Sequence, residues 1–90
     1  MDRTIITVVG KDTVGIIANV CVYLAEKKIN ILDISQTIVQ GYFNMMMIVD
    51  TTEMKENYTT VVTEIEKIGE KIGVQVRCQR ENIFQNMHRI

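Results

Sequence analysis

A run of β-branched residues, Thr4-Ile5-Ile6-Thr7-Val8-Val9, breaks off at Gly10-Lys11-Asp12-Thr13-Val14-Gly15, and an apolar pattern of helical period begins. The run reads as a strand over Arg3–Val9. Its apolar residues lie on both sides of the alternation, which suits a central position in a sheet. Gly10 permits a positive φ and hence a sharp turn out of the strand. Asp12 and Thr13 are residue types that cap a helix N-terminus. Gly15 is expected in the first helical turn, where glycine costs about 1 kcal/mol against alanine. Such a cost points to close approach of another backbone or a ligand. The loop then offers free backbone N–H groups at the positive end of a helix dipole, a place for a carboxylate. The same residues also suit a plain strand-to-helix turn, and both readings stand at this level.

Ninety residues fit one domain, expected over 1–90 with a core at about 3–80. The apolar fraction is 47% but aromatics are only 6%, with no tryptophan, so the core must be aliphatic and rich in methionine. Spare apolar surface on so short a chain is expected to meet a partner. A net charge of −1 without basic blocks argues against nucleic acid and anionic membranes. No apolar run approaches the roughly 20 residues of a membrane span. Met1-Asp2-Arg3-Thr4 enters the first strand almost at once, so no signal peptide is expected, and the expected location is cytoplasmic. Cys21 and Cys78 then read as reduced, buried thiols.

The first helix is expected over Val14–Lys28. Ile17, Val20, Cys21 and Leu24 form its core stripe. Ala18, Val22 and Ala25 form a second apolar stripe, open to another helix or to a later part of the chain. Lys27 and Lys28 suit the negative end of the dipole. Asn30 opens a strand to Val39, expected to be half-buried, with Leu32, Ile34 and Ile38 facing one way and Asp33, Ser35 and Thr37 the other. Gln40-Gly41 reads as a tight hairpin turn. In Tyr42–Asp50, alternation puts Phe43, Met45, Met47 and Val49 on one face and Met46 on the other, so the methionine triplet is flexible core filling. A second helix to Ile72 carries Tyr58, Val61, Val62, Ile65 and Ile68 on its stripe and ends at Gly73. Val74–Gln79 alternates as a last strand. Asn82 is expected to cap a short terminal helix, 82–90, with Ile83, Phe84, Met87 and Ile90 on its apolar face. His88, the one histidine, reads as a surface residue.

Strand, helix, strand, strand, helix, strand is the α+β, ferredoxin-like plan. Right-handed crossovers place both helices on one face of a four-stranded antiparallel sheet of order 2-3-1-4. Many functions use this plan, so the fold does not name one.

The combination of Gly10-x-Asp12-x-x-Gly15-Ile16 between strand and helix with Asn30-Ile31 opening the second strand resembles the ACT domain, over Arg3 to about Arg80. Asp33-Ile34-Ser35-Gln36-Thr37, Tyr42-Phe43-x-Met45 and the tail through Ile83-Phe84 are similar to the small stand-alone ACT proteins of bacteria and archaea, the UPF0237 type. The resemblance implies a regulatory module that binds an amino acid and acts as a homodimer. Edge strands join into one sheet, first helices meet across the pair, and the effector sits between the glycine loop of one chain and the helix-to-strand junction of the other. The implied ligand residues are Gly10, Lys11, Asp12, Thr13, Val14, Gly15, Asn30 and Ile31. The implied dimer contact is Ala18, Val22 and Ala25 with Ile34 and Gln36 of the second strand. With no catalytic domain in these residues, a ligand would act by changing contacts with another, unidentified protein. A dimerisation or protein-interaction module without a small ligand is the alternative, since the loop motif also makes a turn.

Other uses of the fold lack their residues. With a single histidine, no clustered cysteines and no paired carboxylates, neither a catalytic group nor a metal or cofactor site is expected. The loop after the first strand lacks the arginine of an acylphosphatase and the paired cysteines of a metal chaperone. Single-stranded RNA binding needs aromatics on the central strands and a basic surface. Tyr42 and Phe43 are there, but the first strand has no aromatic residue.

Overall fold

The computed structural model describes residues 2–11 and 15–81. In chain order the elements are β1 (Arg3–Lys11), α1 (Ile16–Glu26), β2 (Asn30–Val39), β3 (Tyr42–Asp50), α2 (Tyr58–Ile72) and β4 (Val74–Arg80). They form one antiparallel sheet of order β2-β3-β1-β4, the expected ferredoxin-like arrangement. The terminal helix expected over 82–90, with Asn82 and His88, lies outside the described residues.

The strand registers build the core. Ile6 pairs with Met47 and Val8 with Met45, and Val8 also pairs with Val76, so these side chains share one face. Ile16, Val20 and Leu24 of α1 and Val61 and Ile65 of α2 complete the cluster. Each such side chain contributes about 1.5–3 kcal/mol on burial. Met45 and Met47 are core and Met46 is exposed, as the alternation requires. Gln40 and Gly41 both have positive φ, 51° and 81°, the geometry of a two-residue hairpin turn that continues the strand twist. Asn57 caps α2 by accepting the Thr59 N–H at 2.8 Å, and Gly73 ends it at φ 82°.

Several expectations need correction. Gly10 does not turn the chain: it lies inside β1, opposite Phe43 and Val74, and its φ is not positive. It is there for space, because a Cβ would stand 2.8 Å from Val74 Cγ1. Helix α1 is shorter than Val14–Lys28 at both ends. Its core side includes Ile16 and Tyr23, while Ile17 and Cys21 are only half-buried. β2 is not half-buried: every residue but Ile31 is exposed. It is an edge strand, and an extra residue, Leu32, bulges between the pairs Ile31–Val49 and Asp33–Ile48. Past the bulge Ile34, Gln36 and Ile38 stand opposite Met47, Met45 and Phe43, on the helix side of the sheet.

Cys78 on β4 packs against the core cluster, and burial pushes its thiol up to about 12. Burial is also the main cause that raises Tyr23 and Tyr58. An acid raised in the folded state keeps its proton after the unfolded chain has lost it, so stability falls with rising pH across that window. For Cys78 the window runs from the ordinary thiol value of 9.0 to about 12. Cys78→Ala should therefore flatten the fall in urea-unfolding free energy over this window, and the two tyrosines should leave part of the slope in place. An unchanged slope would mean that the thiol does not carry it.

Candidate functional site

The two halves of the implied ligand site are built by different local devices. At the first, β1 ends with Gly10 and Lys11, and α1 begins after Gly15. Gly15 is the N-cap residue, outside the helix, at φ 89°, a conformation costly for any residue with a Cβ. Its carbonyl accepts the Asn19 N–H at 2.9 Å and the Asn19 Nδ2 at 2.7 Å. Among the described residues no side chain caps the helix there. Asp12, Thr13 and Val14, assigned to the site and, for the first two, to the cap, lie outside the described residues.

The second half is the turn from α1 into β2. Ile29 N donates to Leu24 O at 2.9 Å and Lys28 N to Ala25 O at 3.1 Å. This is a Schellman ending with Lys28 at its left-handed position, φ 59°, where glycine is the usual residue. Ile29 and Leu24, both buried, supply the hydrophobic contact that goes with it. Asn30 emerges exposed and Ile31 half-buried. Asn30 lines a cleft of about 480 Å³ with Ala25, Lys28, Ile29, Asp50 and Glu53. Asp50 stands opposite Asn30 in the ladder. Its Oδ1 accepts from Thr52 Oγ1 at 2.5 Å and Thr52 N at 2.9 Å, and these bonds hold its carboxyl below the usual carboxylate range. The cleft thus joins an amide, an ammonium and two carboxylates. Sequence reasoning missed Asp50 and Glu53, and only the β2–β3 register brings Asp50 to Asn30.

Within one chain these halves do not meet. Asn30 pairs with Asp50 and Asp50 with Arg3, at the start of β1, whereas Gly10 and Lys11 close its other end. Eight residues of strand at about 3.3 Å each separate them by roughly 25 Å.

Of the residues assigned to a dimer contact, Ala18, Val22 and Ala25 are exposed on α1, and Ile34 and Gln36 are exposed on β2. Val22 is 57% accessible, Ile34 43% and Ile38 58%. α1 packs beside β2, so both apolar sets lie along the same edge of the molecule. The inner side of α1 is fixed by Tyr23, whose hydroxyl donates to Glu64 Oε1 of α2 at 2.5 Å. Lys27 Nζ, 3.4 Å from Glu56 Oε1 and 4.0 Å from Glu64 Oε1, extends this link. The partners come from distant parts of the chain, and sequence reasoning did not find them.

Among the described residues no group of histidine, cysteine and carboxylate side chains is placed to hold a metal. No described helix is long and apolar enough to cross a membrane.

A fold of this order with a glycine loop after its first strand defines a known class of domain. The chain belongs to the ACT domain family, whose sequence model matches residues 2–79. That family comprises regulatory small-molecule-binding modules. Over its whole length the chain is 59% identical to a UPF0237 protein of Bifidobacterium longum, covering 100% of both. It is similar in structure to an ACT domain protein from Streptococcus pneumoniae, with a TM-score of 0.81 and 42% identity over 92% of this chain and 93% of that one. The regulatory subunit of aspartate kinase from Thermus thermophilus has the same fold, with a TM-score of 0.65 and 25% identity over 87% of this chain and 50% of that one.

Proposed function

We propose that this chain is a non-catalytic regulatory module that binds a small molecule, an amino acid, at the interface of a homodimer and acts on a separate protein. The observation that carries the reading is the placement of the two half-sites at opposite ends of the sheet. β2 is an exposed edge strand. Two copies joined antiparallel through β2 set the Asn30 end of one beside the Val39 end of the other, the end that carries the glycine loop. Each two-fold pair then has two complete sites. The first turn of α1, after Gly15, offers backbone N–H groups to a carboxylate. Asn30, with Asp50 and Glu53, offers acceptors to the ammonium group. Ala18, Val22 and Ala25 meet their counterparts across the axis, and Ile34 and Gln36 lie along the joined edge. The similarity to a regulatory subunit of an amino-acid kinase supports this assignment of role.

The test is thermal unfolding of the purified protein against each of the twenty L-amino acids. A ligand at about 100 times its Kd adds about 2.7 kcal/mol, which raises Tm by roughly 10 °C in a domain of this size. One amino acid or a related group should give such a shift, and Asn30→Ala, an exposed position, should remove it without lowering the unliganded Tm. A flat response across the set would overturn the amino-acid reading. The exposed apolar edge of α1 and β2 would then favour a protein-interaction module that assembles without a ligand.

A further inference from the structure

The sheet has a second face, away from both described helices. Ile6 and Val8 of β1 belong to the core under the helices, so Arg3, Ile5, Thr7 and Val9 face the other way. This open face is not uniform. Ile5 is only 7% exposed and Val9 is 46% exposed, although both lie on the same side of the same strand, between β3 and β4. Ile5 also stands apart from the core cluster. Its partners across the ladders are Ile48, half-buried, and Gln79, exposed. Flanking strands leave Val9 open between Asn44 and Gln75, so the burial of Ile5 calls for a cover of its own.

The chain itself leads to this place. β4 ends at Arg80, opposite Thr4. The carboxylate of the next residue, Glu81, stands 3.6 Å from the guanidinium of Arg3, which shares the open face with Ile5. The last described residue is thus tied to the Ile5 end of that face. Nine residues follow, and Ile83, Phe84, Met87 and Ile90 recur among them at helical spacing, with Gln85, Asn86 and Arg89 between. Nine residues of helix are about 14 Å long. The sheet from β4 to β2 is three strand spacings wide, also about 14 Å. We propose that residues 82–90 form an intramolecular strap across this end of the open face, with Ile83 and Phe84 seated on Ile5 and Ile48. Such a strap shields apolar surface that would otherwise attract a second sheet. The proposal is independent of the interfacial site.

The test is a set of nuclear Overhauser contacts in the full chain, with isoleucine methyl and phenylalanine ring protons observed. The Phe84 ring should show contacts to the methyl groups of Ile5 and Ile48. A mixed sample, in which one population carries the observed methyl groups and the other the observed rings, should not show them. Phe84→Ala should shift the amide signals of Ile5, Thr7 and Ile48, leave those of Val20 and Val61 in place, and lower the Tm by at least about 4 °C. Ile5→Ala should then lower the Tm by less in the Phe84→Ala protein than in the parent, because the two side chains share one contact. Absence of the Phe84 contacts to Ile5 and Ile48 would overturn the strap. Contacts that persist in the mixed sample would assign the cover to a second copy and overturn it as well. Strictly additive losses in the double variant would also count against it.

Discussion

Gly69→Val should cost about 3 kcal/mol and lower the Tm by roughly 10–20 °C. A Cβ at Gly69 would stand 2.5 Å from Val76 Cγ2 and 3.0 Å from the Val74 carbonyl oxygen. The first contact can relax by a rotation of valine, but the second is to backbone in a paired strand. Gly69 is buried, so the extra carbons have no solvent side to escape to. A stability of about 0.05–0.15 kcal/mol per residue makes such a loss a large share of the whole. The sign for Gly69→Ala separates two physical effects. Helix propensity alone favours alanine by about 1 kcal/mol, whereas the close approach of α2 to β4 at Gly69 predicts a lower Tm. Urea unfolding of both variants reads the difference directly. A Gly69→Ala protein more stable than the parent would show that the helix can move off the sheet at little cost.

Val22→Glu should leave the folded chain almost unchanged and break the proposed dimer. Val22 is exposed on α1 in the single chain, and exposed substitutions of this kind usually fall within about 0.5 kcal/mol. Across a two-fold axis the same change places two carboxylates in an apolar contact, and an unpaired buried charge costs several kcal/mol. Sedimentation at micromolar concentration should give a dimer for the parent and a monomer for Val22→Glu, with Tm measured at matched monomer concentrations. Gln75→Glu, on the exposed side of β4, adds the same charge away from that edge and should remain a dimer. A monomeric parent, or a Val22→Glu protein that sediments like the parent, would exclude this face as the contact.

What could be read from residue order was whatever depends on local period. Phe43, Met45, Met47 and Val49 alternate in the sequence and are buried together in the sheet. Gly73 and Gln40-Gly41 announce their turns because only certain residues accept a positive φ readily. Gly69 offers no such signal, and Gly10 offers the signal of a turn that it does not make. Each is needed because a residue of β4 comes close: for Gly10 it is the distant pairing partner Val74, and for Gly69 it is Val74 and Val76 of the strand that follows its own helix. β2 was misjudged for a related reason, since alternation reports which side chains share a face and not whether helices cover it. The motif residues at Gly10–Gly15 and Asn30 were visible, but their separation by the length of a strand follows only from register. Asp50 and Tyr23 became meaningful only through Asn30 and Glu64, their partners across the fold.

The opposite placement of the two half-sites has a consequence for any sensor built on it. A chain on its own would hold no finished binding surface, so association and recognition would be one thermodynamic event. Diluting the protein would then weaken its apparent affinity for the effector, and the effector would strengthen the pairing by the same linkage. The abundance of the protein in the cell would thus set the threshold at which it responds, with no change to a residue in the site.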